Sequence, residues 1–460
     1  MSGARRVAVI GGGLAGITAA LDCADAGAEV TLLEVRRRLG GAVYSFERDG
    51  MQIDNGQHVF MRCCPAYRQL LARLGSERSV YVQPRLRVPV LSPGRPPSAL
   101  ARGALPAPLH MAGSFVRYRH LTPLQRLRAA RAALALSRLD VADAALDELS
   151  FGEWLERHGQ DRDAVDAFWD VIVRPTLNAP ASESSLALGA FVFHTALLSS
   201  ADAGDIGFHA APLSEVVGEP ARRALADAGV EVRLGWRAQT LEHEPGGYLV
   251  GGGGEEMGAQ AAIVAVPHAR AAALLRELLP ELASSVGSLG SSPIVNVHVV
   301  FDRQVCEEPF AAGVRTPVQY IVDRTAAGGV PDGHQYLAIS LSGAAREMQM
   351  SVPELREAFV PALRELLPRA RDARVERFFV TREHAATFLA APGTAALRPG
   401  PRTPLSGLAL AGAYTDTGWP ATLEGAVRSG HAAARAALAA LELDVPAPAA
   451  YELAVGERAS

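Results

Sequence analysis

The sequence predicts an α/β protein: a parallel sheet wrapped in helices and assembled from separated stretches of chain, joined to an α+β domain with a mixed sheet. Three observations carry this. A strand–glycine–helix–strand unit opens the chain, a strand–hairpin–strand pattern resumes near residue 230, and a strand, a loop and an alanine-rich helix close it. In the opening unit Val7 to Ile10 reads as a short buried strand. Gly11, Gly13 and Gly16 follow, Leu14 to Ala26 is helical in composition, and Glu29 to Leu33 is a second strand ending at Glu34. In a Rossmann-like unit the first glycine permits the tight turn. The second lets backbone N–H groups approach a pyrophosphate, and the third lets helix and strand pack closely. The helix N-terminus, with Leu14 and Ala15 in its first turn, adds partial positive charge. Glu34, about twenty residues on, is spaced to accept from a ribose diol.

Further along, "MQIDNGQHVFM" follows a polar loop, and from about Arg85 the chain changes character. Proline is dense from Pro84 to Pro108. From Thr122 the chain reads as helix, with Thr122 as N-cap and Pro123 at the first position. Leu124, Leu127, Ala130 and Leu134 share one face of that helix, and Arg126, Arg128, Arg131 and Arg138 lie around or opposite it. Helix continues through Trp154 and Trp169. Near Pro220 a helix leads into "GVEVRLGWRAQTLEHE" and "GYLVGGGGEEMGAQAAIVAVP", strands that resume the first sheet, whereas "SPIVNVHVVFD" and "HQYLAISLSG" belong to a second one. The closing segment is "GLALAGAYTDTGWPATLEGAVRSGHAAARAALAAL".

Bulk properties narrow the class. A chain of 460 residues suits two domains. No apolar run reaches the roughly eighteen residues of a membrane span, and the first strand starts too early to leave room for a signal peptide. Cys23, Cys63, Cys64 and Cys306 show neither disulfide nor zinc spacing, so no metal site is expected and the expected compartment is the cytoplasm. A net charge of −4 argues against nucleic acid as a partner. The chain contains no lysine; every basic residue outside the histidines is arginine.

The glycine motif alone does not distinguish NAD from FAD. The continuation "EVRRRLGGAVYSF" resembles the E-x-x-x-R-x-G-G-R stretch of the flavoprotein superfamily of amine oxidases, phytoene desaturases and protoporphyrinogen oxidase. The resemblance implies FAD, with Glu34 on the adenosine ribose, Arg36 and Arg38 near the ADP half, and Gly40 and Gly41 at the pyrophosphate. Ala42 stands where the family has arginine. "LALAGAYTDTGWPATLEGAVRSG" resembles the second flavin signature: a strand ends at Gly412 and a helix beginning about Thr422 and Leu423 points its N-terminus at the flavin. Ala413 replaces the family's aspartate, and Asp416 is the nearby carboxylate. "VEVRLGWRA" resembles the strand that meets adenine, with Ala238 as the contact. Gln57 joins the set from the "DNGQH" loop.

"DNGQHVFMRCC", "LPAPLHM", "WLERHGQ", "FWDVIVRPTLN" and "PGTAALRPGPRT" carry a narrower resemblance, over nearly the whole chain, to the hydroxysqualene dehydroxylases, squalene-associated FAD-dependent desaturases of hopanoid synthesis. It implies reductive removal of a hydroxyl from hydroxysqualene to give squalene, hence an apolar isoprenoid substrate and a separate reductant for FAD. Binding such a polyene needs a long apolar tunnel. The chemistry needs an acid, hydride delivery and a dry site. Amine oxidases of the superfamily commonly hold a water near the flavin with lysine, which this chain lacks. The alternatives are a carotenoid desaturase running hydride the other way and a flavin-free isoprenoid carrier.

The corresponding organisation is an FAD-binding domain of three segments (1–84, 205–285 and 396–442), a largely helical substrate- or membrane-facing segment (85–204), a substrate-domain sheet with helices (286–395) and a tail (443–460). His58 and Tyr414 are the candidate proton donors. His58 also fits a locally hydrogen-bonded turn, and Tyr414 simple packing. Asn178 reads as a cap or turn residue, Trp419 and Pro420 as a rigid packed loop, and Cys63 and Cys64 as inert thiols. His194 and His209 flank a region expected near substrate. The arginine-bearing stretch from Pro106 to Leu139 has the composition of an interfacial helix, giving a peripheral location at the inner face of the membrane as an expectation.

Overall fold

The computed structural model describes residues 5–444; the tail assigned to 443–460 lies almost wholly outside them. Five parallel strands form one sheet in the order Glu231–Leu234, Glu29–Glu34, Arg6–Ile10, Ala261–Val264, Leu408–Leu410. The order explains the discontinuity in sequence. Parallel neighbours need crossovers, and here the crossovers carry most of the remaining chain. The helices Leu14–Asp25 and Leu423–Ala439 pack against each other over this sheet. A Cβ on Gly430 would lie 2.4 Å from the Ala15 carbonyl oxygen, so that position is glycine because the two helices touch backbone to backbone. An antiparallel meander of Ala238–Glu244, Gly247–Gly252 and Glu255–Ala259 is inserted before Ala261–Val264.

The second layer is a seven-stranded mixed sheet in the order Val375–Thr387, Ser292–Phe301, Gln335–Ser342, Tyr320–Asp323, Phe310–Gly313, Arg87–Ser92, Arg95–Ala101. Its last two strands come from the proline-dense stretch, where sequence reading placed no strand. Arg95–Ala101 is an outer strand and its Pro96 and Pro97 are exposed, where a missing N–H costs no ladder bond. Val59–Met61 and Val80–Val82 both pair with Ile206–His209 in a small third sheet that ties the "DNGQH" loop to the middle of the chain.

The helix Pro123–Leu136 starts as predicted, with a reciprocal capping box between Thr122 and Gln125. The buried positions are Ala129, Ala132 and Leu136, and the stripe Leu124, Leu127, Leu134 is 51–55% exposed. The helix packs through two alanines and its last leucine and leaves that stripe outside. No helix among the described residues is long and apolar enough to cross a membrane.

Candidate active site

The nucleotide cradle is built where Arg6–Ile10 ends. Gly11 has φ +115°, and a Cβ there would sit 2.3 Å from the Ala265 carbonyl oxygen. At Gly16 a Cβ would fall 1.8 Å from Gly11 O. Both glycines are required by the protein's own packing. Gly13 is different: its Cβ would meet nothing closer than Gly41 Cα, at 3.7 Å. The protein therefore leaves room at Gly13, the position through which the motif reaches a pyrophosphate. Gly13 is also the N-cap of Leu14–Asp25, with no side-chain cap and no acid in the first turn, so the helix's first N–H groups and positive dipole end are uncompensated. Gly40 and Gly41 pack directly on this turn. Gly40 N donates to Gly12 O (2.9 Å), and a Cβ at Gly41 would be 2.7 Å from Gly13 Cα.

Glu34 is buried and already employed. One carboxylate oxygen accepts from Gly12 N (2.6 Å) and the other from Arg36 N (2.7 Å). Each oxygen keeps a lone pair, so the residue shapes the glycine turn and can still accept from a further hydroxyl. The Arg36 side chain is exposed. Arg38 is half-buried, with its guanidinium 3.4 Å above the Tyr44 ring and Nη1 donating to Gly41 O (3.1 Å). Its Nη2 is buried without a partner. Ala42 is exposed, and its carbonyl accepts from Asn55 Nδ2 (2.9 Å). The Ala238 carbonyl accepts from Arg270 (2.9 Å), beside a Trp236 indole N–H that is buried and unpaired.

At the other end, Gly412 has φ +142°, and its N–H donates to Ser429 Oγ (2.8 Å). A Cβ there would lie 2.6 Å from the Tyr414 ring, so glycine lets the tyrosine fold back over the strand end. Ala413 is half-buried. Asp416 is exposed and gives one oxygen to Gly418 N (3.1 Å). Thr422 caps the final helix through Gly425 N (3.1 Å), with Leu423 as its first residue. Trp419 is held by Phe191 edge-on (5.2 Å) and by Arg428 over its face (5.0 Å).

The two candidate donors stand in separate networks. His58 Nδ1 donates to Gly56 O (3.2 Å), and burial lowers its pKa below the ordinary histidine value, which favours the neutral ring. The Tyr414 hydroxyl is buried with no partner, and burial raises its pKa, so it stays a protonated phenol. Among the described residues no hydrogen bond or ring contact joins the two. Asn178 is a left-handed C-cap (φ 54°) whose amide bonds Ser292 O, Thr387 Oγ1 and Gly343 N. His194 bonds Leu136 O (2.7 Å), away from the cradle. His209 is an interior strut between His58 O and the Tyr67 hydroxyl. The four cysteines are free thiols.

Sequence reasoning missed two groups. Arg398 donates to the carbonyls of Tyr414 (3.2 Å), Thr415 (2.6 Å) and Trp419 (2.6 Å), clamping the loop before the final helix. Asn55 binds Ala42 O, Tyr44 N and Glu383 Oε1 (3.0 Å), and Glu383 also accepts from the Tyr44 hydroxyl (3.3 Å). Glu383 lies 328 positions from Asn55, so no local pattern announces it. Among the described residues no group of three or more His, Cys, Asp or Glu side chains is placed to hold a metal.

An open Gly13 and an uncapped helix start, with an unpaired buried guanidinium nitrogen on Arg38 close by, fit an anionic, hydrogen-bond-accepting ligand. With the parallel sheet they define a dinucleotide-binding fold. Residues 14–438 match the family model described as flavin containing amine oxidoreductase, and the chain belongs to that family; its cofactor is FAD. Similar proteins include zeta-carotene desaturase of Zea mays, 26% identical over 92% of this chain and 82% of that protein. Hydroxysqualene dehydroxylase of Rhodopseudomonas palustris is 28% identical, over 95% and 99% respectively. An oxidoreductase from Methanosarcina mazei has the same fold, with a TM-score of 0.73 and 17% identity over 93% of this chain and 99% of that one.

Proposed function

We propose that the protein removes the hydroxyl of hydroxysqualene reductively, releasing squalene and water. The Tyr414 hydroxyl carries this reading: a protonated, buried donor without a protein partner, on the flavin-signature loop. Loss of an allylic hydroxyl as water consumes one proton at oxygen. A desaturation withdraws hydrogen and has no use for a resident acid at that place. Reduced FAD supplies the hydride when bound. The chain's part is to hold the substrate oxygen against Tyr414, to return the phenolic proton from solvent after turnover, and to exclude water that would capture an allylic cation. Tyr414 lies in the buried apolar core that also holds Phe151, Trp154, Trp169 and Phe193, which keeps bulk water from its hydroxyl. The similarity to a dehydroxylase over almost the full length of both chains supports the same reading, and the absence of lysine counts against an amine substrate.

The similarity to zeta-carotene desaturase favours one rival, in which oxidised enzyme inserts double bonds into a carotene. Anaerobic incubation of dithionite-reduced holoenzyme with hydroxysqualene separates the two. Squalene formed in step with flavin oxidation is the expected product. Desaturation of a carotene by oxidised enzyme, with hydroxysqualene left untouched by reduced enzyme, would replace this reading with the rival.

A further inference from the structure

Large exposed aliphatic side chains are concentrated in one place. Among the described residues, Leu105, Leu109, Val116, Leu124, Leu127 and Leu134 are each 51–69% exposed, whereas large apolar residues exposed elsewhere reach at most 45%. All six lie within thirty residues of chain. The leg 105–116 is held beside the helix Pro123–Leu136 at both ends. Arg126 donates to the Val116 carbonyl, and Pro108 and Ser137 share the wall of a surface depression. The helix turns Ala129, Ala132 and Leu136 inward and Leu124, Leu127 and Leu134 outward, so most of its bulky apolar side chains face away from the core.

The charge carried by this stretch of chain has one sign, and the carboxylates of Asp161 and Asp163 meet it only at Gln125, in the first turn of the helix. Between Glu77 and Asp140 the chain carries eleven arginines and no carboxylate, although its net charge is −4. Arg117, Arg119, Arg128, Arg131 and Arg138 are exposed beside the leucines. Arginine with exposed aliphatic residues on a short in-plane helix of about 21 Å matches a surface of anionic headgroups over hydrocarbon. A nucleic acid would meet the arginines and leave the leucines wet.

An open surface depression of about 480 Å³ lies at the same place, lined by Pro108, Ser137, His194, Thr195, Leu198 and Ser199. Part of its wall is the turn His194–Leu198, which continues the helix Leu186–Phe193. Phe191 on that helix touches Trp419 of the flavin-signature loop, roughly 10 Å along the axis from Leu198. The depression and the cofactor loop are thus at two ends of one helical element.

We propose that residues 105–138 form a docking surface for an anionic phospholipid leaflet, with the depression set against the bilayer so that an apolar substrate enters from lipid. The docking rests on this surface alone and not on the direction of the redox step. Co-sedimentation of full-length FAD-loaded protein with phosphatidylcholine vesicles, with and without phosphatidylglycerol, tests it. Binding is expected with phosphatidylglycerol and should weaken as salt is raised. Arg128→Gln with Arg131→Gln should lower the partition coefficient roughly fivefold per residue. Leu127→Ser with Leu134→Ser should lower it by about tenfold or more. All four side chains are exposed, so FAD content and Tm should be unchanged and serve as controls for folding. Binding that ignores phosphatidylglycerol, or that survives both double variants, overturns the proposal. So does sedimentation velocity showing a vesicle-free dimer that Leu127→Ser with Leu134→Ser dissociates, because the face would then be covered by a second copy of the chain.

Discussion

At the scale of single residues, the three fingerprint glycines have different jobs. Gly13→Ala adds a methyl group that the protein itself accommodates, with its nearest neighbour at 3.7 Å, so the apoprotein should keep its Tm while FAD binding falls at least tenfold. Gly16→Ala places a methyl 1.8 Å from Gly11 O and should prevent folding. Thermal melts of both apoproteins, beside flavin titrations, check this; equal damage to folding would mean that Gly13 is structural too. Tyr414→Phe removes a hydroxyl that bonds nothing in the protein, so stability and FAD content should hold while turnover drops on the order of 10²–10⁴-fold. A near-normal rate would move the acid elsewhere. Glu34→Ala should cost more than one ribose contact, because Gly12 N and Arg36 N lose their acceptor together. The glycines and Glu34 were legible because their chemistry is local in sequence. Glu383 and Arg398 were not, because each acts on a loop that only the folded chain brings near it.

Among the elements, the closing strand–loop–helix depends on a clamp outside itself. Arg398 donates to three carbonyls of the loop 414–419, and the Thr422 cap starts the helix three residues later. Arg398→Ala would leave those acceptors unpaired in a partly buried loop and should loosen the start of the final helix, raising the FAD Kd about tenfold or more. Flavin fluorescence on dilution reads this directly, and an unchanged Kd would show that the loop holds its shape without the arginine. The parallel strands and their helices were readable from period and glycine spacing. The strands Arg87–Ser92 and Arg95–Ala101 were hidden by their prolines: Pro96 and Pro97 lie on the outer strand, where they are tolerated, and Pro89 lies on the strand next to it. The helix Pro123–Leu136 and its leucine stripe were legible, but which face packs was not: the structure buries Ala129, Ala132 and Leu136. Periodicity locates a stripe and does not say what covers it.

Across the whole molecule, two buried histidines join the sheets to the cofactor loops, and both depend on being neutral. His298 donates from Nε2 to Thr381 Oγ1 (3.0 Å) and accepts at Nδ1 from the Tyr336 hydroxyl (2.7 Å); Thr381 in turn donates to Asn55 O (3.2 Å). His209 donates from Nδ1 to His58 O (2.9 Å) and accepts at Nε2 from the Tyr67 hydroxyl (2.8 Å), while Tyr67 N donates to Glu424 (2.8 Å) at the start of the final helix. In each network the one bare ring nitrogen accepts from a tyrosine hydroxyl, so a second proton would have to reverse that bond inside the core. Burial lowers both pKa values to about 3. In the unfolded chain the same groups titrate near about 6.5. The native state is therefore the weaker proton binder between those values, and acid favours unfolding. The contribution is fully present above about pH 6.5 and is lost as pH falls toward 3, at about 1.4 kcal/mol per histidine per pH unit. Urea unfolding of the holoenzyme should show a midpoint that drops steadily as pH is lowered through this window. The combined variant His209→Gln and His298→Gln, less stable at neutral pH, should show a flatter dependence. An equally steep slope in that variant would assign the acid sensitivity to other groups, among them His58, His110, His120 and His268, whose pKa values burial also lowers.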